Sequence, residues 1–108
     1  MSDPAIVTAL AALAQPLRLD AFRALVQAGP CGIAAGSLAT RLDVSPSALS
    51  FHLAQLTRAG LIACRRDGRR LLYSADFAAM AALVGFLTEN CCGGASCTPA
   101  SQPEELAA

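Results

Sequence analysis

Apolar residues recur along the chain at helical spacing in five segments, each bounded by residues that begin or end helices. Asp3 and Pro4 offer an N-cap and a first-turn proline to the first segment. The second segment begins at Pro16 and is ended by Gly29 and Pro30. The pattern therefore predicts a mainly α-helical chain. The predicted helices cover about residues 3–13, 16–28, 35–42, 45–59 and 76–90.

A β-hairpin is predicted between the fourth and fifth helices. Two short runs rich in apolar residues, 61–65 and 70–74, flank the dipeptide Asp67-Gly68, which is a strong signal for a hairpin turn. Upstream, only a short turn around Asp43 separates the third helix from the fourth, and this spacing is typical of a helix-turn-helix. The sequence predicts a mainly α fold with a small β-hairpin, a winged helix-turn-helix.

The length of 108 residues suits one domain. We expect residues 1–92 to form a DNA-binding and dimerisation domain, and residues 93–108 to form a flexible tail that contributes Cys97. The sequence holds no run of eighteen apolar residues and no basic segment at its N-terminus. It therefore predicts no membrane partner, no secretion signal and a cytoplasmic location.

Charge is distributed unevenly along the chain, although the formal net charge is zero. Residues 41–74 contain six arginines and two acids, whereas residues 75–108 contain four acids and no basic residue. All eight basic residues are arginines, which suit planar contacts to phosphates and guanines. The basic middle of the chain predicts double-stranded operator DNA as a partner.

The fourth predicted helix has the pattern of a recognition helix. If its leucines are buried, Ser47, Ser50 and Phe51 point outward, where short hydroxyls can approach bases and phosphates. Three alternatives stay open: Ser45 can act as a helix cap, His52 can pack against a neighbouring element, and Phe51 can either pack or contact a thymine methyl.

The hairpin tip carries four arginines within six residues, which favours phosphate or minor-groove contact over a merely solvated turn. Together with the fourth helix it completes the predicted DNA-contacting set. The predicted DNA-binding residues are Ser45, Ser47, Ser50, Phe51, His52, Arg58, Arg66, Arg69 and Arg70.

Three stretches carry a family resemblance. They are the run from Leu38 to Ile62 (LATRLDVSPSALSFHLAQLTRAGLI), residues 13–19 (LAQPLRL) and residues 68–73 (GRRLLY). These resemble the helix-turn-helix core, the opening of the second helix and the wing of the ArsR/SmtB family of metalloregulatory repressors. The resemblance implies a homodimer paired through its first and last helices, and autoregulated repression that an inducer relieves.

The apolar character of the first and last predicted helices independently favours a homodimer. One small domain cannot easily bury both helices against its own core. The apolar residues concerned are Ile6, Val7, Leu10 and Leu13 in the first helix, and Phe77, Met80, Leu83, Val84 and Leu87 in the last.

Three of the five cysteines, Cys91, Cys92 and Cys97, fall within seven residues near the C-terminus. Thiolates without a neighbouring histidine form a soft ligand set, and Gly93 and Gly94 let the third sulfur fold back toward the first two. This arrangement favours trivalent arsenic, As(III), as the inducer, and antimonite, Sb(III), fits by the same chemistry. The cluster resembles that of family members with C-terminal cysteines, while inorganic and methylated arsenic are both left open.

Other interpretations of the thiols also stay open. The site can instead sense cadmium, lead or zinc, respond to oxidation, or hold incidental thiols in a plain DNA-binding protein. A disulfide between Cys91 and Cys92 would be strained, because adjacent Cα atoms are only about 3.8 Å apart. Cys64 is expected to pack on a wing strand and Cys31 to be exposed. The cysteine cluster follows a helix rather than preceding one, so no thiol is activated by a helix N-terminus and no enzymatic activity is predicted.

Overall fold

Five α helices and three β strands follow one another over residues 1–94, the part of the chain that the computed structural model describes. This order confirms the predicted winged helix-turn-helix. In chain order the elements are α1 (Asp3–Leu13), α2 (Pro16–Ala28), β1 (Ile33–Ala34), α3 (Ala35–Leu42), α4 (Pro46–Arg58), β2 (Ile62–Asp67), β3 (Arg70–Ala75), α5 (Phe77–Thr88) and a final 3₁₀ turn (Cys91–Gly94).

Side-chain caps begin four of the five helices. The α1 cap differs from the prediction: Ser2 rather than Asp3 is the N-cap, and its Oγ accepts a hydrogen bond from the backbone N–H of Ala5. The cap given as an alternative for Ser45 is observed at the start of α4, and Asp76 caps α5. At α2, the side chain of Gln15 accepts from the N–H of Arg18 at 2.9 Å.

The wing belongs to a three-stranded antiparallel sheet with the order β1-β3-β2. The predicted hairpin is confirmed, with Asp67 paired to Arg70 and Gly68 at a φ of 63° in its turn. The additional strand β1 pairs Ile33 with Tyr73. This short strand fastens the base of the hairpin to the start of α3.

The core lies where α2, α3 and α4 meet the base of the wing. Fully buried leucines dominate it, and among the described residues no polar or charged residue is buried. Three leucines of α4 form one continuous stripe on the buried side of that helix, so the core fixes how α4 is rotated about its own axis. The fully buried leucines are Leu25, Leu38, Leu49, Leu53, Leu56 and Leu61.

Within residues 1–94, no single helix is long and apolar enough to cross a membrane. Helices α1 and α2 satisfy the length and composition requirement only as a pair, and they are bent by 103° at their junction.

Gly32 provides a test of how the wing is held. Its φ is +79°, and an added Cβ would collide with the carbonyl oxygen of Tyr73 on β3. We therefore predict that Gly32→Ala lowers the free energy of unfolding by about 1–3 kcal/mol, measured by urea denaturation. Gly36→Ala is the control, because a Cβ at Gly36 meets no atom within 4 Å. Equal effects of the two substitutions would contradict the close approach of Gly32 to β3.

Candidate nucleic-acid interface and thiol site

The exposed side of α4 carries the residues that the helical pattern predicted to point outward. Ser47 and Ser50 are exposed, and 60% of the Phe51 surface is accessible. On the opposite side, Leu49 and Leu53 are each only 1% exposed. The predicted orientation of the helix is thus confirmed, while DNA contact by these residues stays a prediction.

Ser45 caps α4 and is also exposed. Its Oγ accepts a hydrogen bond from the N–H of Ala48 at 3.2 Å and lies 3.4 Å from the Oγ of Ser47. Both hydroxyls therefore sit at the N-terminus of α4, where unpaired backbone N–H groups and the helix dipole favour an anion. The cap is the observed role of Ser45.

His52 contacts two neighbouring side chains. It is half-buried, and its Nδ1 lies 3.3 Å from Nη1 of Arg18 at the start of α2. The ring meets that of Phe51 edge to face, with centroids 5.3 Å apart. Of the two alternatives for His52, the structure therefore shows a helix-supporting contact.

The wing arginines Arg66, Arg69 and Arg70 are all exposed. Nη2 of Arg70 lies 2.9 Å from Oδ2 of Asp67, but both side chains are more than half exposed, so this ion pair contributes little stability and can open. At the end of α4, Nη1 of Arg58 donates to Oε1 of Gln55 at 3.4 Å. The predicted cationic residues are thus available to a ligand at the surface.

Clefts on one face connect the wing to α3 and α4. One, of about 620 Å³, is lined by residues that include Arg69 and Arg70 and continues to Ser37 and Thr40 on α3. A smaller one, of about 90 Å³, joins the same start of α3 to Ser50 on α4. Ser37 and Thr40 were not predicted from the sequence, because only the packing of α3 beside the wing brings them to this face.

The thiols of Cys91 and Cys92 lie together just beyond α5. Both residues are exposed, and their Sγ atoms are 3.6 Å apart, within contact distance. A run of left-handed backbone conformations, with positive φ at Asn90, Cys92, Gly93 and Gly94, turns the chain sharply here. Cys97 lies outside the described residues, and within residues 1–94 no three potential ligand side chains come together around a metal position.

The remaining cysteines, Cys31 and Cys64, are both exposed. Exposure was predicted for Cys31, but the prediction that Cys64 packs on a wing strand is wrong. Strand β2 lies at the edge of the sheet, and of its residues only Ile62 is buried, so the rest of the strand extends beyond the core. Burial raises the pKa of Tyr73, and a hydrogen bond with the cross-strand neighbour Cys64 raises it further.

Comparison with known proteins identifies the class. A family profile described as "Helix-turn-helix domain" matches residues 13–65. The chain is 36% identical over 80 residues to the nodulation protein NolR of Rhizobium meliloti, covering 74% of this chain and 63% of that protein. It is 37% identical over 83 residues to the transcriptional regulator YgaV of Escherichia coli, covering 77% and 82%. It is 40% identical over 78 residues to the candidate arsenical resistance operon repressor ArsR of Halobacterium salinarum, covering 72% and 60%.

Solved structures share the architecture. HlyU from Vibrio cholerae matches with a TM-score of 0.67 at 31% identity, covering 85% of this chain and 99% of that one. An ArsR-like transcriptional regulator from Rhodococcus sp. RHA1 matches with a TM-score of 0.70 at 29% identity, covering 96% and 88%. A winged helix-turn-helix domain from Mycobacterium bovis, described as homodimeric, matches with a TM-score of 0.64 at 25% identity, covering 91% and 96%.

The helix-turn-helix profile and the relatives named as transcription regulators, YgaV and HlyU, agree with the prediction from the sequence that the chain is not an enzyme. The matched region covers less than two thirds of the length of NolR (63%) and ArsR (60%), but 82% of YgaV. The chain belongs to the ArsR/SmtB-type family of DNA-binding, winged helix-turn-helix transcriptional regulators.

Proposed function

We propose that this protein is a homodimeric repressor that trivalent arsenic releases from its operator by binding Cys91, Cys92 and Cys97. The proposal assigns DNA binding and dimerisation to residues 1–92 and the third arsenic ligand to the tail at 93–108. The observation that carries it is the pair of exposed thiols 3.6 Å apart at the end of α5, a helix whose apolar side is itself exposed.

DNA contact is assigned to the face on which α4, the start of α3 and the wing meet. The clefts there are bordered by Ser50 from α4 and by Arg69 and Arg70 from the wing, so the two predicted DNA-binding elements, α4 and the wing, border the same surface. The hydroxyls and Phe51 suit base edges in the major groove, and the arginines suit phosphates. We therefore expect α4 to supply sequence preference and the wing to supply general affinity.

Dimerisation is assigned to α1 and α5. Leu83 is the one well-buried residue of α5, although nearly every residue of that helix is apolar. Val84 is 54% exposed and Leu87 is 58% exposed, and on α1 Val7 is 65% exposed. Fully burying one such side chain stabilises a structure by about 1.5–3 kcal/mol, so a second copy of the chain has a strong reason to cover this surface. The winged helix-turn-helix domain from Mycobacterium bovis, which is described as homodimeric, supports a homodimer.

The thiol pair suits a thiophilic ligand. Thiolates are soft ligands and bind soft metal and metalloid ions preferentially. In the sharp turn from Asn90 to Gly94, both Cys91 and Cys92 are exposed at the surface. Binding of As(OH)₃ by three thiols forms three As–S bonds and releases three water molecules, with no change of oxidation state. The name of the Halobacterium relative, a candidate repressor of an arsenical resistance operon, supports arsenic as the inducer.

The position of the thiols links ligand binding to DNA binding. An inducer releases a repressor only if it binds the DNA-incompetent conformation more tightly, and each tenfold loss of DNA affinity needs about 1.4 kcal/mol of that preference. The turn follows α5 directly, so a ligand that reshapes the turn acts at the end of a proposed dimer helix. The dimer in turn sets the spacing between the two recognition helices, which must match the half-sites on DNA.

Substitutions in the wing and in α4 should have different effects on DNA binding. Replacing Arg69 and Arg70 with alanine should weaken binding to all duplexes and reduce the slope of log affinity against log salt concentration by about 0.9 per lost phosphate contact. Replacing Ser47 and Ser50 with alanine should instead weaken specific binding more than non-specific binding. Fluorescence anisotropy over a salt series measures both. A wing variant with unchanged affinity and salt slope would show that the wing does not contact DNA.

The dimer surface can be tested with a single charge. Leu87→Glu should raise the dissociation constant of the dimer at least tenfold, because a carboxylate buried without a partner is strongly unfavourable. Sedimentation velocity at micromolar concentration gives the oligomeric state. Leu71→Glu is the matched control, since Leu71 is an exposed leucine on the wing (40%) and its change should leave the dimer intact. A wild-type protein that sediments only as an 11 kDa species would rule out the dimer.

The inducer is tested by removing one sulfur at a time. Arsenite should release the wild-type protein from DNA, and serine at position 91, 92 or 97 should abolish or blunt that release without weakening DNA binding. Cys31→Ser and Cys64→Ser are the controls and should respond like the wild type. Parallel titrations with cadmium, lead, zinc and peroxide test the alternative inducers. A triple variant lacking Cys91, Cys92 and Cys97 that still responds to arsenite would move the site to Cys31 and Cys64.

A further inference from the structure

Arg18 joins three helices through its guanidinium group. It is the third residue of α2 and is half-buried. Its Nε donates a 2.7 Å hydrogen bond to the carbonyl oxygen of Ala12, and its Nη1 lies 3.3 Å from Nδ1 of His52 on α4. The carbonyl of Ala12 belongs to the last turn of α1, where carbonyls lack a partner within the helix and a cation is favoured. One side chain thus connects the end of α1 to the recognition helix.

The connection spans a gap between the helices. A cleft of about 360 Å³ opens between α1 and α4 at this point, and its walls include Val7, Ala11 and Arg58 as well as Arg18. Apolar packing does not fill this space. Arg18 is therefore a polar bridge between α1 and α4 on the side of the molecule where their side chains leave a gap.

The chemistry of the two groups fixes the tautomer of His52. A guanidinium has only N–H donors, so Nδ1 of His52 must accept the hydrogen bond through its lone pair. A neutral imidazole that accepts at Nδ1 carries its hydrogen on Nε2. In the neutral ring, the contact with Arg18 therefore favours the tautomer whose Nε2 is a hydrogen-bond donor.

We propose that Arg18 is a positioning residue for DNA recognition, which holds His52 as an Nε2–H donor and ties α4 to the end of α1. The donor is suited to the acceptors of DNA, such as guanine N7 and O6 in the major groove. The ring also makes the edge-to-face contact with Phe51, whose own side chain is exposed on α4. This proposal rests on the assignment of α4 as the helix that reads DNA, and it is independent of the identity of the inducer.

The tautomer can be measured directly, because His52 is the only histidine in the sequence. Two-bond ¹H–¹⁵N correlation spectra of the full chain identify which imidazole nitrogen carries hydrogen without any assignment step. The wild type should show a protonated Nε2 and an unprotonated Nδ1, and Arg18→Gln should shift the ring toward a mixture of tautomers. A hydrogen on Nδ1 in the wild type, or a spectrum that Arg18→Gln leaves unchanged, would overturn the proposal.

The functional part of the proposal is tested by a double-mutant cycle of Arg18→Gln and His52→Phe, which keeps a ring beside Phe51 but has no nitrogen. The probe is a duplex selected from random sequence by the wild-type protein, with a random duplex as the non-specific reference. Each single variant should lose about tenfold in specific affinity, and the double variant should lose no more than His52→Phe alone. Additive losses, or no loss with a confirmed tautomer, would contradict the positioning role while leaving DNA binding by α4 intact.

Two controls separate positioning from charge and from folding. Arg23→Gln removes the same charge from an exposed position on α2 and should leave specific affinity unchanged. The salt slope of Arg18→Gln should equal that of the wild type, whereas a fall of about 1 would mean that Arg18 contacts a phosphate itself. If circular dichroism shows that Arg18→Gln is unfolded, Arg18→Lys replaces it, because lysine keeps one donor for Ala12 but loses the planar fork. Full specific affinity in that variant would contradict the proposal.

Discussion

The burial of one leucine stripe on α4 determines which face of that helix is exposed. Leu49, Leu53 and Leu56 are almost fully buried against the core, which fixes both the rotation and the depth of the helix. An α-helix has 3.6 residues per turn, and this period decides which residues share a face. Burying these leucines on one face therefore leaves Ser47, Ser50 and Phe51 exposed. The surface assigned to DNA is thus a geometric consequence of core packing, and no polar residue is buried to support it within residues 1–94.

The small core also leaves apolar side chains of α5 exposed. Phe77 and Met80 of α5 pack partly buried against the core and Leu83 is buried, but Val84 and Leu87 of the same helix stay exposed. A helix of this composition is stable in water only against another apolar surface. Only Glu89 and Asn90 separate the thiol turn at Cys91–Gly94 from the end of this helix. Dimerisation and ligand binding are therefore both proposed to involve α5 and the turn after it. A ligand bound at this turn would then change the spacing of the recognition helices through the dimer helix.

Local patterns predicted most of the fold because the signals were local. Helical periodicity, caps such as Ser45 and the Asp67-Gly68 turn all act within a few residues. The N-cap of α1 was predicted one residue too late because Ser2 and Asp3 are both good caps. Strand β1 was missed because two residues, Ile33 and Ala34, are too few to show a period.

Features that depend on distant residues could not be predicted in this way. Residues 18 and 52 are 34 positions apart, so neither the Arg18–His52 contact nor the resulting tautomer has a local signal. Cys64 was expected to be packed, but its exposure follows from the edge position of β2, which only the strand order reveals. The outward face of α4 was predictable because its opposite face is the core. The thiol cluster was recognisable from its residue types, while its proposed effect on DNA binding depends on the geometry of the proposed dimer.

The central claim is that arsenic binding and DNA binding oppose each other within one protein, and linkage requires the effect to be reciprocal. The most direct measurement is the affinity of the full chain for arsenite, by calorimetric titration, with the protein alone and with the protein saturated by its selected duplex. We predict weaker arsenite binding in the presence of DNA, by the same factor by which arsenite weakens DNA binding. Equal arsenite affinity in the two states would contradict it.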